Sequence, residues 1–229
     1  MSVYISQNSI PQKFDSSSWC ILNPIEQSIK NKIESIGTPL KDWDVNIYRG
    51  VLTGLNEAFI IDGAKKDELI AKDPKSAEII RPILRGRDIQ RYSYNFADKW
   101  LIATFPSRHY NIDEYPAIKE YLLSFDKRIL EQSGEKNIDG IEGNNARKKT
   151  CNKWFETQDS IAYWDDFNRQ IISWQRITQK PTFCLTEPKM IVLDSMAFLS
   201  NIGSQKYWLL AVLNSDLIYF WAKLNVHEY

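Results

Sequence analysis

Two clusters of positively charged side chains have the chemistry needed to bind phosphate groups or the edges of bases. The first cluster, residues 81–91, contains four arginines in eleven positions, and the second, residues 147–153, contains four cations and no acid. A guanidinium presents a planar fork of donors that pairs with two phosphate oxygens or with O6 and N7 of guanine. The alternative is that both clusters are solvated faces whose cations pair with neighbouring acids such as Asp88 and Glu156.

A second arrangement has the residue types of a metal-dependent nuclease. Asp165 or Asp166 is followed by Glu187, Pro188 and Lys189, and an acid with a later Glu-x-Lys can hold a divalent metal and position water for phosphodiester cleavage. The proline at the middle position favours a loop that enters the next strand. A metal-dependent nuclease therefore stays an alternative, and not the preferred interpretation.

Other common catalytic classes lack their motifs. Residues 50–54 carry two glycines but not the Gly-Lys-Ser/Thr of a phosphate-binding loop, and neither G-x-S-x-G nor H-E-x-x-H occurs. Three widely spaced cysteines and two histidines make no zinc pattern and indicate a reducing, cytoplasmic compartment. No apolar run is long enough for a membrane span, so we expect no membrane contact. Because 29 Lys and Arg balance 29 Asp and Glu, any binding of nucleic acid requires a local basic face.

The hydrophobic periodicity predicts short helices and strands in alternation. A helix over residues 24–36 has Asn23 as its cap and Glu26 placed for a capping box. Strands over 44–49 and 57–62 are predicted to pair as a hairpin. Residues 131–159 lack periodicity and are predicted to form a long loop. Further predicted helices cover 64–72, 75–80, 113–129 and 204–224, and further strands cover 99–104, 170–174, 182–185, 190–193 and 197–199.

These elements favour an α+β (mixed α/β) fold. The expected architecture is a largely antiparallel twisted sheet with flanking helices, long recognition loops and a C-terminal apolar helix. Residues 204–224 are apolar around too much of the circumference for a free surface helix, so we expect much of this helix to be buried in the domain or on a partner.

Five segments, in order along the chain, have the motif pattern of one known family. The clearest is IIRPILRGRDIQRY at residues 79–92, which is similar to the pattern I-I-x-P-x-L-x-G-R-D-I-x-R-Y. The other segments are IYRGVLTGLNEAFIID at 47–62, YPAIKEYL at 115–122, the strand pair at 171–174 and 181–183, and LLAVLNS at 209–215. Together they span most of the chain, which thereby resembles TaqI-like C-terminal specificity domains.

The resemblance implies a target recognition domain of a type IIG restriction–modification enzyme or a related adenine methyltransferase. Such domains bind double-stranded DNA sequence-specifically, while a separate methyltransferase or nuclease domain, in the same polypeptide or in a partner subunit, supplies catalysis. No catalytic residue, metal or cofactor is therefore expected in this chain. The parent enzyme is expected to be a site-specific adenine-N6 DNA methyltransferase or type II restriction endonuclease that uses S-adenosylmethionine and Mg²⁺.

The resemblance also suggests a division of the chain. The expected parts are a lead-in with an N-terminal helix at residues 1–40, a DNA target recognition domain at 41–203 and a packing helix at 204–229. The chief alternative function is an assembly module of a type I-like specificity subunit, in which the closing helix packs on a partner subunit.

We expect DNA contacts from both clusters and from nearby polar residues. Arg85 and Arg91 are favoured over Arg87, because Arg87 can pair with Asp88 and fix the turn instead. The cations of the second cluster are expected to be mobile phosphate contacts that become ordered on binding. The predicted DNA-binding residues are Thr53, Asn56, Arg85, Arg87, Arg91, Arg108, Arg147, Lys148, Lys149 and Arg176. The amides Asn144, Asn145 and Gln175 suit the reading of adenine, although nothing in the sequence assigns them to a base.

Overall fold

A computed structural model describes residues 22–225 of the 229-residue chain. These residues belong to two compact units: residues 46–214 form one, and residues 22–45 with 215–225 are the described part of the other. Within the described residues, no helix is both long enough and apolar enough to cross a membrane.

Helices occur in both units. In chain order, the α-helices of the described residues are α1 (Pro24–Ile36), α2 (Asn56–Phe59), α3 (Gly63–Lys72), α4 (Pro116–Leu122), α5 (Lys127–Leu130), α6 (Lys206–Leu213) and α7 (Asp216–Asn225). Short 3-10 helices cover Leu40–Asp42, Pro74–Glu78, Gly86–Asp88, Pro106–Arg108, Ile112–Glu114, Ile138–Gly140, Trp164–Asn168 and Gly203–Gln205. The capping box predicted for α1 is confirmed, because the Asn23 side chain accepts from the Glu26 amide and the Glu26 carboxylate accepts from the Asn23 amide, each at 2.9 Å.

The strands of the larger unit form two sheets. They are β1 (Asn46–Arg49), β2 (Ile60–Asp62), β3 (Ile80–Leu84), β4 (Lys99–Ile102), β5 (Ile172–Gln175), β6 (Phe183–Leu185), β7 (Ile191–Val192) and β8 (Met196–Ser200). The first sheet has the order β1-β8-β5-β6 and is antiparallel throughout. The second has the order β2-β4-β3-β7, in which only the β3–β7 pair is parallel. The α+β class with mainly antiparallel pairing is confirmed, but the strands are divided between two sheets.

The two sheets are joined where the chain leaves β1. The Gly50 amide donates to the Met196 carbonyl at 2.8 Å, and the next amide, Val51, donates to the Val192 carbonyl at 2.8 Å. The chain therefore passes from a position beside β8 to a position beside β7. A side chain at Gly50 would place its Cβ 2.1 Å from the Leu193 carbonyl oxygen, so the junction has room only for glycine.

Both sheets contribute to one cluster of buried apolar side chains. Phe198 of the first sheet and Leu101 of the second are fully buried, as are Phe59 of α2 and Ile118 of α4. Since these side chains belong to a single core, residues 46–214 pack as one body rather than as two independent sheets.

The predicted hairpin over residues 44–62 is wrong. β1 pairs with β8 and β2 pairs with β4, so the two segments lie in different sheets. The glycine-bearing connection between them first forms the junction at Gly50 and then enters α2. This helix occupies the beginning of the segment that was predicted as the second strand. The actual partners of both strands are distant in sequence, which no local turn pattern reveals.

The predicted helix over residues 204–224 is two helices, α6 and α7. The Asn214 side chain donates to the carbonyls of Leu210 and Phe183 at 3.1 and 2.9 Å and accepts from the Phe183 amide at 3.0 Å. The Ser215 hydroxyl accepts from the Ile218 amide at 3.2 Å, in the first turn of α7. These polar side chains end one helix and begin the next.

Within the described residues, this closing segment is partly buried, and the expected burial on a partner stays a prediction. Leu209 and Leu210 are buried, whereas Leu217 is 51% exposed. Another predicted helix, over residues 113–129, is also interrupted: a 3-10 turn precedes α4, and α5 begins anew at Lys127 with Asp126 as its cap.

Candidate nucleic-acid interface

An open cleft of about 460 Å³ gathers polar side chains from four separate segments of the larger unit. Asn56 lies at the start of α2, Arg87 on the 3-10 helix Gly86–Asp88, Lys99 at the start of β4 and Gln175 at the end of β5. Arg85 and Glu57 also line the cleft. The cleft therefore brings together the predicted residues Asn56, Arg85 and Arg87 and adds Lys99, which the sequence prediction did not include.

The turn at the cleft is fixed by an ion pair between Arg85 and Asp88. The Arg85 guanidinium donates from Nε and Nη2 to the two carboxylate oxygens at 3.0 and 2.8 Å, and the Arg85 backbone amide donates to the same carboxylate at 2.9 Å. Burial would raise the pKa of Asp88, but these hydrogen bonds and the charge of Arg85 outweigh burial and hold the pKa below its usual value.

This ion pair should make the stability of the chain depend on pH in the acid range. Because the pKa of Asp88 is lower in the folded than in the unfolded state, its contribution is fully present above about pH 4 and is lost as the pH falls through the folded-state pKa. We expect Asp88→Asn to lower the free energy of unfolding near neutral pH, and the difference from the unaltered chain to shrink below about pH 4. Urea denaturation of both proteins across this range measures it. A difference that does not change with pH contradicts the prediction.

Arg87 has the free guanidinium of this turn, contrary to expectation. The interpretation that Arg87 pairs with Asp88 is wrong, since Arg85 makes that pair. The Arg87 side chain is exposed and has no hydrogen bond or ion pair to any described residue. The spacing of Arg85 and Asp88, three residues apart, fits a 3-10 turn, in which such side chains lie one above the other. Arg87 therefore replaces Arg85 as the arginine best placed to contact a ligand.

Arg91 is engaged at the end of α6. Its Nη2 donates to the Asn214 carbonyl at 2.7 Å, and its guanidinium lies 5.2 Å from the centre of the Tyr92 ring. The side chain is exposed all the same, so Arg91 can contact DNA only in addition to holding the end of that helix.

Thr53 and Asn56 differ in whether their side chains are accessible to a ligand. Thr53 is fully buried, and its hydroxyl donates to the Asn56 side-chain oxygen at 2.7 Å and accepts from the Leu55 amide at 3.2 Å. The prediction that Thr53 contacts DNA is wrong, because its hydroxyl organises the turn before α2. Asn56 is exposed and lines the cleft.

Arg147 is a buried structural residue, and its prediction as a mobile phosphate contact is wrong. Only 3% of its surface is exposed, and its guanidinium donates to the carbonyls of Leu130, Thr53, Glu156 and Trp154 at 2.8, 3.2, 2.6 and 2.6 Å. The guanidinium also lies 4.9 Å from the centre of the Phe59 ring. Burial lowers the pKa of Arg147 to about 10, so the side chain stays charged at neutral pH.

The remaining candidates lie outside the cleft. Lys148 and Lys149 are exposed on the irregular segment that Arg147 holds, and neither has an ion pair with a described residue. Arg108 is exposed, with its guanidinium 5.9 Å from the centre of the Trp164 ring. Arg176 is exposed and donates to the Asp194 carbonyl at 3.0 Å.

Two of the three amides considered for adenine are used within their own loop. Asn144 donates to the Ile138 carbonyl at 3.4 Å, and Asn145 accepts from the Asn137 amide and donates to the Gly143 carbonyl. Gln175 alone of the three lines the cleft. For the nuclease alternative, the described residues contain no group of three or more His, Cys, Asp or Glu side chains able to hold a metal ion.

Comparison with known proteins finds one family. The TaqI-like C-terminal specificity domain matches residues 81–228, which is more than half of the chain. No curated protein matches the chain. Among solved structures, the Type IIL restriction-modification enzyme MmeI in complex with DNA is similar, with 11% sequence identity and a TM-score of 0.44 over 72% of this chain. The chain spans about a fifth of that enzyme, since the match covers 20% of it.

Proposed function

Because the chain belongs to the family of TaqI-like C-terminal specificity domains, we propose that it binds double-stranded DNA and recognises the target sequence of a restriction–modification enzyme. The observation that carries this proposal is the cleft, which is lined by Arg87, a cation without an ion pair to any described residue, together with Lys99 and the amides Asn56 and Gln175. Cations of this kind hold phosphates and so give affinity and register, while amides read base edges and so give specificity.

The catalytic step belongs to another part of the proposed enzyme. As its name says, a C-terminal specificity domain is one portion of a larger protein. We propose a methyltransferase or nuclease domain as its partner, in the same polypeptide or in a separate subunit. That portion would bind S-adenosylmethionine and Mg²⁺ and act on an adenine of the recognised site. The described residues would supply binding and orientation, and we propose the cytoplasm, where the cell's DNA is accessible, as the place of action.

The role of Arg87 can be tested by equilibrium binding to a labelled duplex at several salt concentrations. We expect Arg87→Ala to weaken binding about 10-fold at moderate salt and to reduce the salt slope by about 1, because one phosphate contact and its released counterion are lost. Arg169→Ala is the matched control, since Arg169 is an exposed arginine outside the cleft. Equal affinities for the two variants would contradict the placement of DNA in the cleft.

A further inference from the structure

We propose that Gln175 is a specificity-determining residue that reads the N6 and N7 edge of an adenine in the target duplex, and that Gly86 positions it. The inference rests on the proposed DNA-binding function and adds to it a residue, a base and the kind of contact. A carboxamide presents one acceptor and one donor side by side, which matches the donor N6 and acceptor N7 that adenine exposes in the major groove.

The backbone around Gln175 is held on both sides. Gln175 is the last residue of β5 and pairs with Met196 of β8 in antiparallel register. The next residue, Arg176, donates from its backbone amide to the Ser195 carbonyl and from its guanidinium to the Asp194 carbonyl, both at 3.0 Å. A side chain on such a strand end projects from a fixed point, as a base-reading group requires.

Gly86 supplies the space that the Gln175 side chain occupies. A Cβ added at Gly86 would lie 3.0 Å from Gln175 Cγ and 3.3 Å from Cδ, so the glutamine lies directly against the glycine backbone. The Gly86 amide donates to the Ser195 hydroxyl at 3.2 Å, which ties the 3-10 turn to the same segment that holds Arg176. Because the φ angle of Gly86 is not in the left-handed region, room rather than backbone conformation requires glycine here.

The side-chain carboxamide of Gln175 is available to hydrogen-bond with a base. It is half-buried in the cleft, and no described residue donates to it or accepts from it. Arg87 and Lys99 line the same cleft and can hold phosphates of the duplex whose base Gln175 reads. The carboxylate of Glu57 also lines the cleft, and it disfavours a second phosphate at its own position.

The test is a binding-site selection from randomised duplexes with the full chain and four variants, Gln175→Ala, Gln175→Glu, Gly86→Ala and Gln179→Ala. We expect the unaltered chain to select a site with an adenine at one position. Gln175→Ala should lose about 10- to 100-fold of the preference at that position alone, and Gln175→Glu should shift it towards cytosine, whose N4 donates to a carboxylate. Gly86→Ala should lower the same preference by displacing an intact glutamine. Gln179→Ala, an exposed glutamine outside the cleft, should change nothing.

The selection distinguishes a failure of the inference about Gln175 from a failure of the proposed DNA-binding function. If the unaltered chain selects a site and the Gln175 and Gly86 variants select the same site with the same preferences, the inference about Gln175 is overturned and the DNA-binding function stands. If the unaltered chain selects no site, the proposed function fails and this inference fails with it. Thermal denaturation of every variant shows which of them fold. If Gly86→Ala does not fold, the inference is tested by Gln175→Glu, whose side chain is the closest in shape to glutamine.

Discussion

Replacement of Arg147 by methionine is expected to lower the free energy of unfolding by about 3–5 kcal/mol, because it breaks a buried hydrogen-bond network. The guanidinium donates to four carbonyls. Two of them, those of Leu130 and Trp154, accept from no other donor among the described residues. Methionine fills much of the volume but donates nothing, so these carbonyls are left buried and unpaired. Each such group costs about 1–3 kcal/mol.

Lysine should not restore the lost stability. An ammonium keeps the charge, but it is a single point and cannot span carbonyls that the planar guanidinium reaches with three separate nitrogens. Urea denaturation of Arg147→Met, Arg147→Lys and Lys148→Met measures these effects. Lys148→Met makes a similar change at the exposed neighbouring residue and should alter stability by no more than about 0.5 kcal/mol. If Arg147→Met is as stable as Lys148→Met, the structural role assigned to Arg147 is wrong.

Replacement of Gly50 by alanine is the second change with a large expected effect, a loss of about 3 kcal/mol. The added methyl group would lie 2.1 Å from the Leu193 carbonyl oxygen and 2.4 Å from that of Val192. Both obstacles are backbone atoms of β7 and the turn after it, so no side chain can rotate away to make room. The strands must separate, and the separation weakens the hydrogen bonds that join the two sheets.

Gly140→Ala is the matched control for this substitution. Gly140 has a φ of +75° and nothing within 4 Å of an added Cβ, so alanine there meets only backbone strain of about 1–2 kcal/mol. Thermal and urea denaturation should therefore rank the unaltered chain first, Gly140→Ala second and Gly50→Ala last. The close approach at the junction is contradicted if Gly50→Ala is the more stable of the two variants.

Local patterns predicted the elements whose determinants lie within a few residues of each other. The Asn23–Glu26 capping box of α1 is an example, since both partners are three residues apart. Strand β3 was not predicted because Arg81 and Pro82 interrupt its apolar pattern, although Ile83 and Leu84 are fully buried. Strand pairing was predicted wrongly for β1, because its partner β8 is joined to it by no short turn.

The residue types that line the cleft were predicted better than their positions. Cations and amides were expected, and the cleft contains Arg87, Asn56 and Gln175. The burial of Arg147 was missed because its neighbours Lys148 and Lys149 and the nearby glycines are typical of a solvated loop. Its acceptors include the Thr53 carbonyl, 94 residues away, so the local sequence holds no sign of the interaction.

The position of β8 in the first sheet has a consequence for how the protein is made. β8 is the last strand of the described residues, yet it lies between β1 and β5 and pairs with both. On the ribosome, β1 must therefore remain unpaired while about 150 further residues are added, which takes roughly 7–30 s at common rates of synthesis. During that interval β1 has no strand beside it, and a nascent chain of this kind is a natural substrate for chaperones that shield unpaired strand edges.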